Sequence, residues 1–107
     1  MTDSLDDLVL WTNNACSKSR AAEQILDGRG TRRYYLEDPP TRAELEAVLT
    51  KLGTDDATVI ARAGVTGTCE EVLDQLAADP SLIERPIAIR GDRAVVARPP
   101  ERLHELL

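Results

Sequence analysis

Between Leu8 and Arg20 the sequence LVLWTNNACSKSR runs from four apolar residues, through a polar Thr-Asn-Asn turn, into a cysteine followed by helix-compatible residues. The run Leu8-Val9-Leu10-Trp11 does not alternate, as expected for a strand covered on both faces, so it belongs near the centre of a sheet. From Cys16 to about Asp27, Ala21, Ala22, Ile25 and Leu26 fall at helical spacing, and Gly28 or Gly30 supplies a stop. Arg32-Arg33-Tyr34-Tyr35-Leu36 then has the β-propensity of a second strand. A strand, a helix and a strand in close succession make a crossover unit that is almost always right-handed and parallel. Cys16 thereby falls at the carboxyl end of the first strand, where open α/β sheets place their ligands.

The remaining chain extends this frame. After Pro39-Pro40, Thr41-Arg42-Ala43-Glu44 has the Thr-x-x-Glu pattern of a capping box, and Leu45, Val48, Leu49 and Leu52 form one stripe ending at Gly53. Asp55 to Ala63 is expected to form a further short helix carrying Arg62. Thr68-Cys69-Glu70-Glu71 is a second capping box, opening a helix with Val72, Leu73, Leu76 and Ala77 inside, which Asp79-Pro80 ends. Ile87 to Arg90 and Arg93 to Ala97 flank Gly91-Asp92, a pair suited to a type II′ hairpin turn. A last helix beyond Pro99-Pro100 is expected to bury Leu103, Leu106 and Leu107. The order β-α-β, helices, β-β, α predicts an α/β fold: a small four-stranded mixed sheet with flanking helices, of the thioredoxin-like type.

At 107 residues the chain is expected to be a single domain over residues 1–107, burying roughly two-thirds of its unfolded surface. With no Phe, one Trp and two Tyr, the core must come from Leu, Ile, Val and Ala, and a base-stacking surface for single-stranded nucleic acid is not expected. The net charge of −6 likewise argues against binding a phosphate backbone. No apolar run reaches the roughly 20 residues that span a bilayer, and MTDSLDD is acidic where a secretory leader is basic. No membrane association, a cytoplasmic location and a monomer are expected. Two cysteines and one histidine are too few for a structural zinc site, so no metal is expected either.

Cys16 is the candidate nucleophile. The first turn of a helix leaves N–H groups unpaired and carries partial positive charge, which favours a thiolate and cradles an oxyanion. Ser19 stands where a dithiol oxidoreductase has its second cysteine, so the Cys-x-x-Ser motif cannot close its own disulfide. The phosphatase-type Cys-x5-Arg loop is excluded, because the sixth residue after Cys16 is Ala22; Arg20, four residues on, could face the same pocket. Arg85 precedes Pro86 at a strand start, where a cis bond is only a minority expectation from sequence, and Arg98 precedes Pro99. Cys69 is either a resolving thiol or a partly buried small residue, and the second is expected. His104 is given no catalytic role.

The segments TNNACSKSR, YLEDPPTRAEL and ERPIAI, followed by an Arg-Pro near the C-terminus, resemble in order and content the ArsC family, the glutaredoxin-coupled arsenate reductases and their Spx-like relatives. The resemblance covers nearly the whole chain and implies a thioredoxin-like fold with a short helical insertion. It implies that Cys16 attacks arsenate or a similar oxyanion, that Arg62, Arg85 and Arg98 bind that oxyanion, and that Asn13, Ser19 and Arg20 belong to the active-site loop. The position four before the cysteine, often histidine in that family, is Thr12. No bound cofactor is implied; an external thiol, glutathione or an equivalent, acts as co-substrate and a glutaredoxin-like protein as reductant. Two alternatives stay open: a glutathione-type thiol oxidoreductase without arsenate activity, and a Spx-like redox-sensing interaction module, whose usual Cys-x-x-Cys is absent here.

Overall fold

The computed structural model describes residues 5–13 and 17–107, with Ser17 and Lys18 described by backbone alone. Strand β1 spans Leu8–Thr12 and lies inside a four-stranded sheet of order β2-β1-β3-β4. Helix α1, Ser17–Leu26, crosses over to β2, Thr31–Tyr34, which pairs parallel to β1 with Val9 opposite Thr31. β3, Ile87–Arg90, pairs antiparallel to β1 on its other side, and β4, Arg93–Val96, pairs antiparallel to β3. β2 ends one residue before Tyr35, whose ring is buried in the core, and Leu36 is exposed, so this strand is shorter than its β-propensity suggests.

Alternation along β1 divides the interior in two. Leu8 and Leu10 face α1 and the C-terminal segment, packing with Ala22, Leu26, Ala88, Val95, Leu103 and Leu106. Val9 and Trp11 face the opposite layer, formed by α2 (Arg42–Leu52) and α3 (Cys69–Ala78), where Leu45, Val48, Leu73 and Leu76 are buried. Each such aliphatic side chain contributes about 1.5–3 kcal/mol on burial. Both sheet faces are therefore covered, which is why β1 reads as a continuous apolar run.

Local signals place the helix ends. Thr41 and Glu44 form a reciprocal capping box on α2, Gly53 ends it in the left-handed conformation at φ 77°, and Thr68 with Glu71 caps α3 in the same way. Gly91 has φ 62° at the first loop position of the β3–β4 hairpin, and Asp92 does not share the positive φ, as a type II′ turn requires. Arg42 ties α2 to α3 through Glu70 and Asp74. Arg33 of β2 lies over the Trp11 ring, 5.4 Å from its centroid, and pairs with Glu44. The Arg33 guanidinium, aided by the Thr41 N–H, holds the Glu44 carboxyl well below the usual range, at about 2.

Three expectations are corrected. The segment after Asp55 forms only a short 3-10 turn, Ala57–Ile60, and Arg62 lies beyond it, because Ala61 leaves the helix to bridge Ile83. The C-terminal segment, Pro100–Leu106, is 3-10 rather than α, and it buries Leu103 and Leu106 while Leu107 is exposed. Both the Arg85–Pro86 and Arg98–Pro99 bonds are cis. Among the described residues no helix is long and apolar enough to cross a membrane.

Candidate active site

Of the sequence candidates, Asn13, Arg85 and Arg98 lie at one end of the sheet, where β1 finishes, β3 begins and β4 finishes. Trp11 pairs with Ile87 and Ile87 with Val96, so one residue further on the chain passes Thr12, Pro86 and Ala97 side by side. The Ala97 N–H donates to the Pro86 carbonyl at 2.9 Å, extending the hairpin beyond the strands. Cys16, with Asn14 and Ala15, lies outside the described residues. The residues on either side of it are joined: the Asn13 backbone N–H donates to Ser19 Oγ at 3.3 Å. Ser19 is fully buried, so the serine of Cys-x-x-Ser fastens the start of α1 to the end of β1. Arg20 is exposed on α1 and forms no ion pair with a described residue.

Arg85 and Arg98 are brought together by the hairpin register. Arg98 Nη1 donates to Glu84 Oε1 at 2.7 Å and to the Arg85 carbonyl at 3.3 Å, and the Arg85 N–H donates to the same Glu84 oxygen at 3.2 Å. Arg85 is half-buried, whereas the Arg98 side chain is 38% exposed and can be reached from solvent. Glu84 is the residue that the sequence reasoning missed. It appeared only as the first letter of ERPIAI, and only the folded hairpin makes it the carboxylate that accepts from the Arg98 guanidinium and the Arg85 backbone N–H.

Arg62 stands apart from this pair. Its N–H donates to the Leu82 carbonyl at 2.8 Å, and the Glu84 N–H donates to the Ile60 carbonyl at 2.8 Å, an antiparallel bridge with Arg62 at one end and Glu84-Arg85 at the other. The Arg62 side chain is exposed and forms no ion pair with a described residue. Cys69, the first residue of α3, carries a free thiol that is half-buried against the α2–α3 core. His104 is exposed on the C-terminal 3-10 segment. Among the described residues no group of three or more His, Cys, Asp or Glu could hold a metal ion.

The sequence marked Thr12 only as a departure from the family's usual histidine. Thr12 is completely buried on the α1 side of β1, and its Oγ1 has no hydrogen-bond partner among the described residues. A cleft of about 440 Å³ opens beside the arginine pair, with Glu84, Arg98 and Arg102 at its rim.

The ArsC family profile matches residues 11–106, from the end of β1 to the C-terminal segment. The chain belongs to the ArsC family. A relative from Streptomyces viridochromogenes, described as an uncharacterized protein in the glnII region, is 39% identical over 115 aligned positions, covering 92% of this chain and 97% of its own. The arsenate reductase of Haemophilus influenzae is 31% identical over 114 positions, covering 94% of this chain and 98% of its own. Among solved ArsC structures, the arsenate reductase from Vibrio cholerae superposes with a TM-score of 0.86 at 28% identity, covering 94% of this chain and 97% of that one. The described residues form a thioredoxin-like four-stranded mixed sheet with flanking helices, as in that structure.

Proposed function

We propose that this protein reduces arsenate to arsenite by thiol chemistry centred on Cys16. The observation that carries the reading is that the hairpin sets Arg98 beside the Arg85 backbone, its guanidinium donating to the Arg85 carbonyl, at the sheet end from which the chain runs on from Thr12 toward Cys16. Two guanidinium forks oppose the charge of a tetrahedral oxyanion and orient it by bidentate hydrogen bonds. Before substrate binds, Glu84 holds Arg98 in place; an incoming dianion competes with one carboxylate for a group already aimed. The ArsC membership and the arsenate reductases among the relatives support the same substrate.

The steps balance as follows. The Cys16 thiolate attacks arsenic, an S–As bond forms, and one arsenate oxygen leaves as water after protonation. The thiolate of a small external thiol attacks Cys16 Sγ. An S–S bond forms, the S–As bond breaks, and its electron pair passes to arsenic, which leaves as arsenite. A second thiol, from a glutaredoxin-like protein or another small molecule, attacks the mixed disulfide and returns Cys16 as the thiol. For each arsenate reduced, two thiols become one disulfide. Ser19 cannot supply either thiol, so both come from outside the motif.

Arsenate turnover with glutathione and a glutaredoxin tests this reading. Cys16→Ser is expected to be inactive, and Arg85→Ala to lose about 10²-fold or more in kcat/KM, the usual consequence of deleting one preorganised donor to a developing charge. Arg62→Ala is expected to lose less, since Arg62 lies at the far end of its bridge. Unchanged turnover in Arg85→Ala would refute the oxyanion role. Disulfide exchange without arsenate turnover would instead establish a thiol oxidoreductase.

A further inference from the structure

We propose that Glu84 is a specificity-determining residue, whose carboxylate selects tetrahedral oxyanions that still carry a proton, such as hydrogen arsenate and hydrogen phosphate. Dianions of the same charge that carry none, such as sulfate, are rejected. The proposal rests on the arsenate reading for the place where the oxyanion sits, and it adds what that place excludes. Its starting point is an acid paired with Arg98 where an anion is to bind. As a general anion site, arginines are only weakened by such a neighbour.

The hydrogen bonds leave part of each group unused. Glu84 spends Oε1 on two donors, Arg98 Nη1 at 2.7 Å and the Arg85 backbone N–H at 3.2 Å. Its Oε2 bonds no described residue and reaches solvent, the side chain being 22% exposed. Arg98 commits Nη1 to Glu84 and to the Arg85 carbonyl, while its Nε and Nη2 bond no described residue. A guanidinium carries five N–H groups in one planar fork, so an oxyanion that takes the remaining ones shares the fork with Glu84 rather than expelling it. Acceptors on neighbouring nitrogens of one fork lie side by side. The bound oxyanion and Glu84 Oε2 are thereby adjacent.

Hydrogen-bond polarity decides what fits there. A carboxylate only accepts hydrogen bonds, and so does a sulfate ion, so the two meet oxygen to oxygen with no proton between them. Like charges that close disfavour each other. Hydrogen arsenate carries one O–H at neutral pH. Turned toward Oε2, that hydroxyl makes an O–H···O⁻ bond, one of the strong charge-assisted kind, and its other oxygens remain for Arg98. Glutamine in place of Glu84 would serve both ions, because an amide offers an N–H as well as a carbonyl. The selection therefore comes from an acceptor left unpaired and repelled in the wrong complex, not from the size of the site.

The test measures binding of inorganic phosphate and of sulfate to the full chain at pH 8 and constant ionic strength, where both are dianions and only phosphate carries an O–H. Shifts of the Glu84, Arg85 and Arg98 amide signals in NMR spectra report binding without turnover. The wild-type protein is expected to bind phosphate at least about tenfold more tightly than sulfate, the usual worth of a hydrogen bond to an ionised group. In Glu84→Gln the ratio is expected to fall to about one, mainly because sulfate binds more tightly. A carboxylate that only held Arg98 in place would, on this substitution, weaken both ions by the same factor and leave their ratio intact. That result, equal affinities in the wild type, or binding of neither ion, would overturn the proposal. Equal affinities together with arsenate turnover would remove the specificity and leave the reductase reading standing. Phosphate selectivity that Glu84→Gln abolishes, in a chain that turns over no arsenate, would keep the specificity and refute the reductase reading.

Discussion

Replacing Thr12 by valine is expected to make the protein more stable. Thr12 is fully buried and its Oγ1 has no hydrogen-bond partner among the described residues, so folding strips water from the hydroxyl and returns nothing. A polar group left in that condition costs about 1–3 kcal/mol. Valine has nearly the same shape and the higher β-propensity that a central strand favours. Taking the lower part of the range, the gain is about 1–2 kcal/mol; for a domain of this size each kcal/mol moves Tm by about 4–8 °C. The assay is thermal unfolding followed by circular dichroism at pH 7, with the urea midpoint as a second measure. Thr12→Ser supplies the control, since it keeps the hydroxyl and removes a buried methyl group; it is expected to lose about 1 kcal/mol. A lower Tm for Thr12→Val than for the wild type would refute the reasoning, because it would mean that the hydroxyl is satisfied in the folded protein.

The Glu44 carboxyl, held at about 2 against an ordinary 4.5, stabilises the fold above pH ~4.5 and loses that contribution as the pH falls toward 2. The full shift would correspond to about 3 kcal/mol, but Glu44 is 40% exposed and solvent screening reduces this to about 1 kcal/mol. Glu44→Gln should therefore lower the urea midpoint at pH 7 and flatten the acid limb of stability; equal acid slopes in both proteins would contradict the pairing with Arg33. Gly30 and Gly53 have nearly the same φ, 78° and 77°, but a Cβ on Gly30 would sit 3.1 Å from the Leu8 carbonyl oxygen, whereas one on Gly53 meets nothing within 4 Å. Gly53→Ala should cost about 1 kcal/mol of backbone strain, and Gly30→Ala about 2–3 kcal/mol, because β1 must shift as well. Equal losses in chemical denaturation would show that the crowding at Leu8 is relieved without expense.

What could be read from the chain alone is what short-range chemistry decides. The unalternating run Leu8 to Trp11 specified a strand covered on both faces, and Thr41 with Glu44 and Thr68 with Glu71 marked two helix starts, because a capping box closes within four residues. Gly91 at the first loop position set the hairpin turn for the same reason. These elements, with the motifs around Cys16, Arg85 and Arg98, sufficed for the fold class and the family. Tertiary structure decided the rest. The Ala61–Ile83 bridge drew Arg62 out of the expected helix, since a backbone pairing across more than twenty residues leaves no local signal. Glu84 became the acceptor for the Arg98 guanidinium only when the hairpin placed Arg98 across from Arg85, fourteen positions away from Glu84 in the chain. Thr12 was legible as a departure from the family's usual residue, but that its hydroxyl is unpaired follows from what packs around it. The cleft, too, is made by side chains from α2, a 3-10 turn, β4 and the C-terminal segment. Capping and turn preferences are satisfied by neighbours in sequence, whereas a site is completed by groups that only folding makes neighbours.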